Sequence, residues 1–287
     1  MVSFSMELNK SHQIRSLSIP SKINPINQKI ENELNRLSTI EDASTSASES
    51  ISIGVSGLVE LYRCINQALS LPMTQQALLL RQHDKHVGEL LKGCSSLLNV
   101  CSLINEIVLQ QGVVTKKLKN TLTHREESLK IGSDVANYTF LRKEVMRKAR
   151  DILPSLNLLN SEVLGEEDCQ ISTVIKSLRC VSIINLSVFQ SLLVFLSMPV
   201  SKPKRSLVSK IMNKGRGKCE SGNEINDVDM VLHELVSGKS VNDEKLCFSV
   251  KKLKALADVM EGIESGLENI CKQLSQTKVS LMNIASF

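Results

Sequence analysis

The sequence has no tryptophan and only eight aromatic rings, six Phe and two Tyr, in 287 residues. That removes the stacking platforms on which single-stranded nucleic-acid binders rely, and nucleic acid is disfavoured as a partner. Proline is scarce, at six, and glycine numbers 13. Collagen-like and proline-rich architectures are thereby excluded. No Cys-x-x-Cys occurs among the eight cysteines at 64, 94, 101, 169, 180, 219, 247 and 271. The opening MVSFSMELNK also lacks the apolar run of a secretory signal. We therefore expect a reducing, cytoplasmic setting in which the cysteines pack as small hydrophobes rather than serving metal or redox chemistry. Neither a myristoylation start nor a prenylation end is present.

What remains is an ordinary globular composition. Apolar residues make up 42% and charged residues 23%, which excludes wholesale disorder and allows a core of the chain's own. The net charge is only +5, but its excess is local. From Val200 to Lys218 stand Lys202, Lys204, Arg205, Lys210, Lys214, Arg216 and Lys218 with no acidic residue between them. Such a basic segment fits an anionic membrane surface, a nuclear-import signal or a solvated loop.

Helical spacing dominates the chain. Asn24-Pro25 reads as a cap followed by proline at the first helical position, with Ile26, Ile30, Leu34 and Leu37 as the stripe. Residues 43–50, ASTSASES, read as a serine-rich linker or modification target. A helix over Ile51 to Ser70 ends at Leu71-Pro72, and Thr74 is expected to cap the next one. From there to about Ser128, Val87, Leu91, Cys94, Leu98, Cys101, Asn105 and Val108 recur in a 4,3 alternation, flanked by Leu90, Leu97 and Ile104. Unbroken, a helix of ~50 residues would reach ~75 Å. A basic helix from Asp134 is expected to stop at Pro154. Glu166-Glu167-Asp168 mark the start of another that runs to Met198-Pro199.

The run from Cys180 to Ser201 carries no charge and meets the length of a membrane span. Asn185 and Gln190 near its middle favour a buried core helix with Leu186, Phe189, Leu193 and Leu196 inward. After a short helix near Val228 to Val236, the heptad pattern returns at Leu246, Val250, Leu253, Ala257, Met260, Leu267, Cys271, Leu274 and Leu281, flanked by Ile263 and Ile270. No stretch shows sustained strand alternation. The expectation is all-α: an elongated bundle of long antiparallel helices. A mobile arm over residues 1–22 would precede a single helical domain over 23–287, with a basic loop near 200–226.

Three blocks resemble a known family: RSLSIPS at Arg15 to Ser21, SESISIGVSGLVELYRCINQALSLPMTQQAL from Ser48 to Leu78, and GIESGLENICKQLSQTKVSLMNI from Gly262 to Ile284. In that order they are similar to the plant-specific BYPASS-like proteins, over about Arg15 to Phe287. The resemblance implies a helical domain, a plant origin, an association with root and shoot development, and no assigned catalytic residues. One departure is His86 in DKHVGELL, where the family's EKW-type stretch carries Trp.

Chemistry-bearing motifs are few. Arg15, Ser18 and Pro20 form an Arg-Ser-x-Ser-x-Pro pattern. Phosphorylated on Ser18, it suits a basophilic kinase and then capture by a 14-3-3 protein's arginine cluster. KGRGKC at Lys214 to Cys219 fails the phosphate-loop pattern, because no Gly-Lys-Ser/Thr follows at the right spacing. His83 and His86 lack a third ligand, so no metal site is expected. Gly262 and Gly266 fit one close helix crossing. No Ser/His/Asp or Cys/His arrangement stands out from chance, and no catalytic or cofactor-binding residue is assigned. The reading is a non-enzymatic interaction or regulatory protein that docks through Ser18 phosphorylation. The alternative is a peripheral membrane or trafficking factor using residues 202–218. Cytoplasm is the expected location, with nucleus or membrane surface as the other options.

Overall fold

In the computed structural model the described residues are 25–38, 46–79, 85–125, 128–163, 173–198, 223–237 and 243–285. They form eight helices: α1 (Pro25–Ser38), α2 (Ala47–Leu69), α3 (Pro72–Leu79), α4 (Lys85–Thr123), α5 (Ser128–Val163), α6 (Thr173–Ser197), α7 (Glu224–Ser237) and α8 (Asp243–Ala285). No strand occurs among the described residues. The all-α bundle expected from the apolar spacing is what forms.

The longest interface joins α4 to α8. Their direction is fixed by cross-contacts that climb one helix while descending the other. Cys101 faces Leu267, Lys116 Nζ pairs with Glu261 at 2.8 Å, and Arg125 at the end of α4 reaches Asp243 at the start of α8. The two helices are therefore antiparallel. Leu253, Met260, Leu267, Leu274 and Leu281 of α8 are fully buried, as the heptad spacing requires. Helix α2 lies along α8 in the same direction, with Asn66 opposite Gln273 and Thr277. Its close approach rests on Gly266, where an added Cβ would sit 2.2 Å from Val55 Cγ1. At Gly262 nothing lies within 4 Å, so only the second glycine of that pair makes the crossing. Helices α5, α6 and α7 complete the bundle against α4, α2 and α8 respectively.

Several boundaries differ from the sequence expectation, among them the starts of α5 at Ser128 rather than Asp134 and of α7 at Glu224 rather than near Val228. The serine-rich stretch is partly structural: Ser46 caps α2 from an extended backbone (φ −138°, ψ 159°), its Oγ accepting from Glu49 N, and Ser48 is buried in the first turn. A serine oxygen satisfies an amide that would otherwise lack a partner there, so the residue type that reads as linker is also a helix start. Thr74 is not a cap but an interior residue of α3, which Pro72 opens. The long helix is accordingly not ~50 residues; α3 is separate, and α4 has 39. That gives α4 about 58 Å at ~1.5 Å per residue.

Pro154 does not end α5, which continues to Val163. Pro154 is exposed, while Leu156 beyond it is buried and Leu159 packs on the core. One lost backbone bond is thus offset by apolar burial worth ~1.5–3 kcal/mol per large side chain. Within α4, the buried face includes Leu90, Leu97 and Ile104, whereas Leu91 and Leu98 are only partly buried. The stripe is centred toward the flank of the 4,3 seam because α5 as well as α8 covers it.

The run from Cys180 lies in α6, with Leu186, Phe189, Leu193 and Leu196 buried in the common core. By length and composition alone, Val87–Thr123 and Val174–Ser197 are apolar enough to cross a membrane. Asn185 is also fully buried, and its Nδ2 donates to Tyr62 Oη at 2.7 Å.

Candidate functional site

Helix α5 carries Arg142 and Arg150, eight residues apart and so on nearly the same face, against the end of α6. A helix end leaves its last carbonyls without intrahelical donors. Here each one is met. Ser197 Oγ donates to Val194 O (3.1 Å) and Asn223 Nδ2 to Phe195 O (3.1 Å). Arg142 Nη1 donates to Leu196 O (2.5 Å) and Arg150 Nη2 to Ser197 O (3.1 Å). The second Arg142 amine, Nη2, donates to Met198 O at 2.8 Å. Cations at a helix C-terminus also oppose the partial negative charge of the helix dipole.

Arg142 is the largest fully buried side chain, with 1% of its surface exposed. Its charge is balanced by Asp229 of α7, whose Oδ2 accepts from Nε at 3.3 Å. Burial raises the Asp229 carboxyl above its usual value, and Arg142 and Tyr138 pull it back. Tyr138 is pushed well above the ordinary phenol range, first by burial and then by the Asp229 charge. Its hydroxyl has no hydrogen-bond partner of good geometry although it lies beside Asp229 and Gln111, and Gln111 Oε1 is likewise unpartnered.

Asn223 completes the arrangement from the other side. Its Oδ1 accepts from Ile225 N (2.9 Å) and Asn226 N (3.4 Å), capping α7, while its amide holds Phe195 O. Helix α7 is tied a second time where Ser48 Oγ donates to Glu224 Oε1, joining the first turns of α2 and α7. The last residue of α6 and the first of α7 are therefore held at one place by Arg142, Asn223 and Asp229. The segment 199–222, which contains Lys202, Lys204, Arg205, Lys210, Lys214, Arg216 and Lys218, starts and returns at that clamp.

Those seven basic residues lie outside the described residues, as do Arg15, Ser18 and Pro20, His83 and the KGRGKC stretch. The side chain of His86, within α4, is likewise not described. Among the described residues no trio of His, Cys, Asp or Glu is placed to hold a metal ion. Two open grooves stand out among the described residues. One, between α4 and α5, has Leu109, Val113 and Leu141 as its apolar floor and Lys117 and Lys148 at its rim. Both lysines are paired, with Asp134 at 2.9 Å and Glu106 at 3.4 Å. The other groove follows Gly262 and Gly266 along α2. Its walls include Ser56 and Ser265, and its Glu60 is paired with Lys29 and Arg63.

Sequence reasoning passed over the clamp. An Asn one residue before an acidic helix start is a cap signal that could have marked Asn223. Nothing in the periodicity distinguishes Arg142 from the exposed cations Arg147 and Lys143 on the same helix.

Residues 54–284 match the protein family described as Protein BPS1. The chain belongs to the BPS1 family. The match runs from within α2 to the last turn of α8, so it takes in the clamp and the segment the clamp carries. It accords with the resemblance to BYPASS-like proteins. BPS1 is a plant family of unknown molecular function, not a known enzyme family, and membership points to a developmental regulator. Among curated proteins and solved structures no match is found.

Proposed function

We propose that this BPS1-family chain is a non-enzymatic interaction protein that regulates plant development by presenting docking elements on a rigid helical bundle. The observation that carries the reading is the clamp. A buried arginine is a costly feature to keep in a core, and here, paired with Asp229 and donating to the Leu196 and Met198 carbonyls, it holds together the two ends of the most basic segment in the chain. A rigid root on a charged segment lowers the ordering cost when the segment meets a partner. The second docking element is the Arg15, Ser18 and Pro20 motif, which a 14-3-3 protein would recognise once Ser18 carries phosphate.

The test is purification of the full-length protein from plant tissue, wild type against Ser18→Ala, with partners identified by mass spectrometry. Recovery of a phosphopeptide-binding protein with wild type alone supports the phospho-docking element. Identical partner sets remove it.

A second reading, a peripheral membrane or trafficking factor, is favoured by one specific observation: Val194 and Met198, at the end of α6 next to the clamp, are exposed. Apolar side chains beside a basic segment fit the surface of an anionic membrane, where each nearby lysine or arginine contributes ~1 kcal/mol. Sedimentation with phosphatidylserine-containing vesicles at low salt, lost in high salt and on neutralising Lys202, Lys204 and Arg205, supports this reading. No sedimentation at low salt removes it.

A further inference from the structure

Cys101 of α4 and Cys271 of α8 face each other across the main interface of the bundle, with Sγ to Sγ at 2.6 Å. That is about half an ångström more than the ~2.05 Å of a disulfide, so the two sulfurs need almost no approach to bond. Cys101 is fully buried and also lies 3.5 Å from Leu267 O, whereas Cys271 is partly exposed. The two thiols therefore divide naturally into one that solvent reaches and one behind it. The other described cysteines do not share this arrangement: Cys64 lies 3.8 Å from a carboxylate oxygen of Glu60, Cys94 is buried, and Cys180 and Cys247 are exposed. Their contact sets the two thiols apart: the hydrogen bond with Cys101 lowers the Cys271 thiol below its ordinary value, while the same contact, and then burial, raise that of Cys101. The carboxylate of Glu268 on the same helix opposes the lowering.

The geometry points to a redox-modified site: a hydroperoxide-class oxidant converts Cys101 and Cys271 into a disulfide that locks α4 to α8. The Cys271 thiolate attacks one oxygen of hydrogen peroxide, the O–O bond breaks, and hydroxide leaves and takes up a proton as water. The sulfur of the resulting sulfenic acid is then attacked by Cys101 Sγ. The S–S bond forms, the S–O bond breaks, and hydroxide departs with the Cys101 proton as a second water. The thiol pair loses two electrons and the peroxide gains them. The bond would join residues far apart in sequence, across the longest helix–helix interface of the bundle, so the oxidised chain is harder to unfold.

The test uses the reduced full-length protein exposed to hydrogen peroxide, then blocked with N-ethylmaleimide, digested with trypsin and examined by mass spectrometry. Two fewer thiols per chain should be labelled, and the peptide Ala255–Lys272 should be joined to Gly93–Lys116. Fragment ions should assign the bond to Cys101 rather than Cys94, which lies in the same peptide. The melting temperature should rise on oxidation and return with dithiothreitol. Cys271→Ser, at the partly exposed position, should fold and melt like the reduced wild type but show no oxidation-dependent shift. An unchanged thiol count, a bond from Cys271 to any other cysteine or to a second chain, or sulfinic acid building up on Cys271 without cross-linking would overturn the proposal.

Discussion

The α2–α4–α8 part of the bundle and the α5–α6–α7 part are held in different ways. In the first, rows of apolar side chains repeat at heptad spacing along α4 and α8, and the polar groups that occur are short clips such as Asn66 with Thr277. In the second, apolar faces are buried too, but the helix ends are joined by polar groups: a buried guanidinium, a buried carboxylate and one asparagine satisfy the end of α6 and the start of α7. The difference teaches that burial area positions the long helices, while a handful of hydrogen bonds decides where the basic segment 199–222 is rooted.

The largest expected effect comes from breaking the clamp. Arg142→Met leaves Asp229 buried without its cation and leaves Leu196 and Met198 carbonyls unpaired, so denaturant unfolding should show a loss of ~3–5 kcal/mol. If the clamp were incidental, the loss would be near that of a surface substitution. On the apolar side, Leu267→Ala should cost ~2–5 kcal/mol without changing how the chain behaves near residue 198.

Next in size is the close crossing of α2 and α8. Gly266→Ala forces Val55 to move and should destabilise by ~1–3 kcal/mol, an effect that Val55→Ala relieves in the double variant. Gly262→Ala one turn earlier meets nothing and should stabilise by ~0.5–1 kcal/mol, since alanine holds a helix better than glycine. Both are read from urea midpoints. Thr277→Val, which removes the hydroxyl that donates to Asn66 Oδ1 at 2.7 Å, should cost ~1 kcal/mol.

Two aspartates sharpen the comparison through pH. Asp134 is held below its usual value by its hydrogen bond from Thr121 and by Lys117. Its contribution is present above the ordinary aspartate value and is lost as pH falls through the depressed folded value. Asp229 is held above its usual value by burial, so the folded chain binds that proton more tightly than the unfolded chain. Its contribution runs the other way, declining as pH rises from the ordinary aspartate value through the raised one. Melting temperature against pH for Asp134→Asn and Asp229→Asn should therefore differ from wild type with slopes of opposite sign, and slopes of the same sign would show that the two sites are not distinct.

How much of this was legible in the sequence follows the same division. The stripes of α4 and α8 were readable because an interface buried along its whole length forces a repeat on every turn. The cap of α2 at Ser46 was hidden among serines that also suit a linker, and the continuation of α5 past Pro154 depended on what Leu156 packs against. The clamp was illegible for a physical reason. A buried Arg142 and an exposed Arg147 are the same letter on one helix, and only the arrival of Asp229 from a helix far along the chain separates them.

The most direct measurement is hydrogen exchange by mass spectrometry on wild type and Arg142→Met. The account predicts lost amide protection over the last turns of α6, residues 192–198, and the first turns of α7, residues 224–230, with α4 and α8 keeping theirs. Equal loss along all the helices, or none at these two ends, would contradict it.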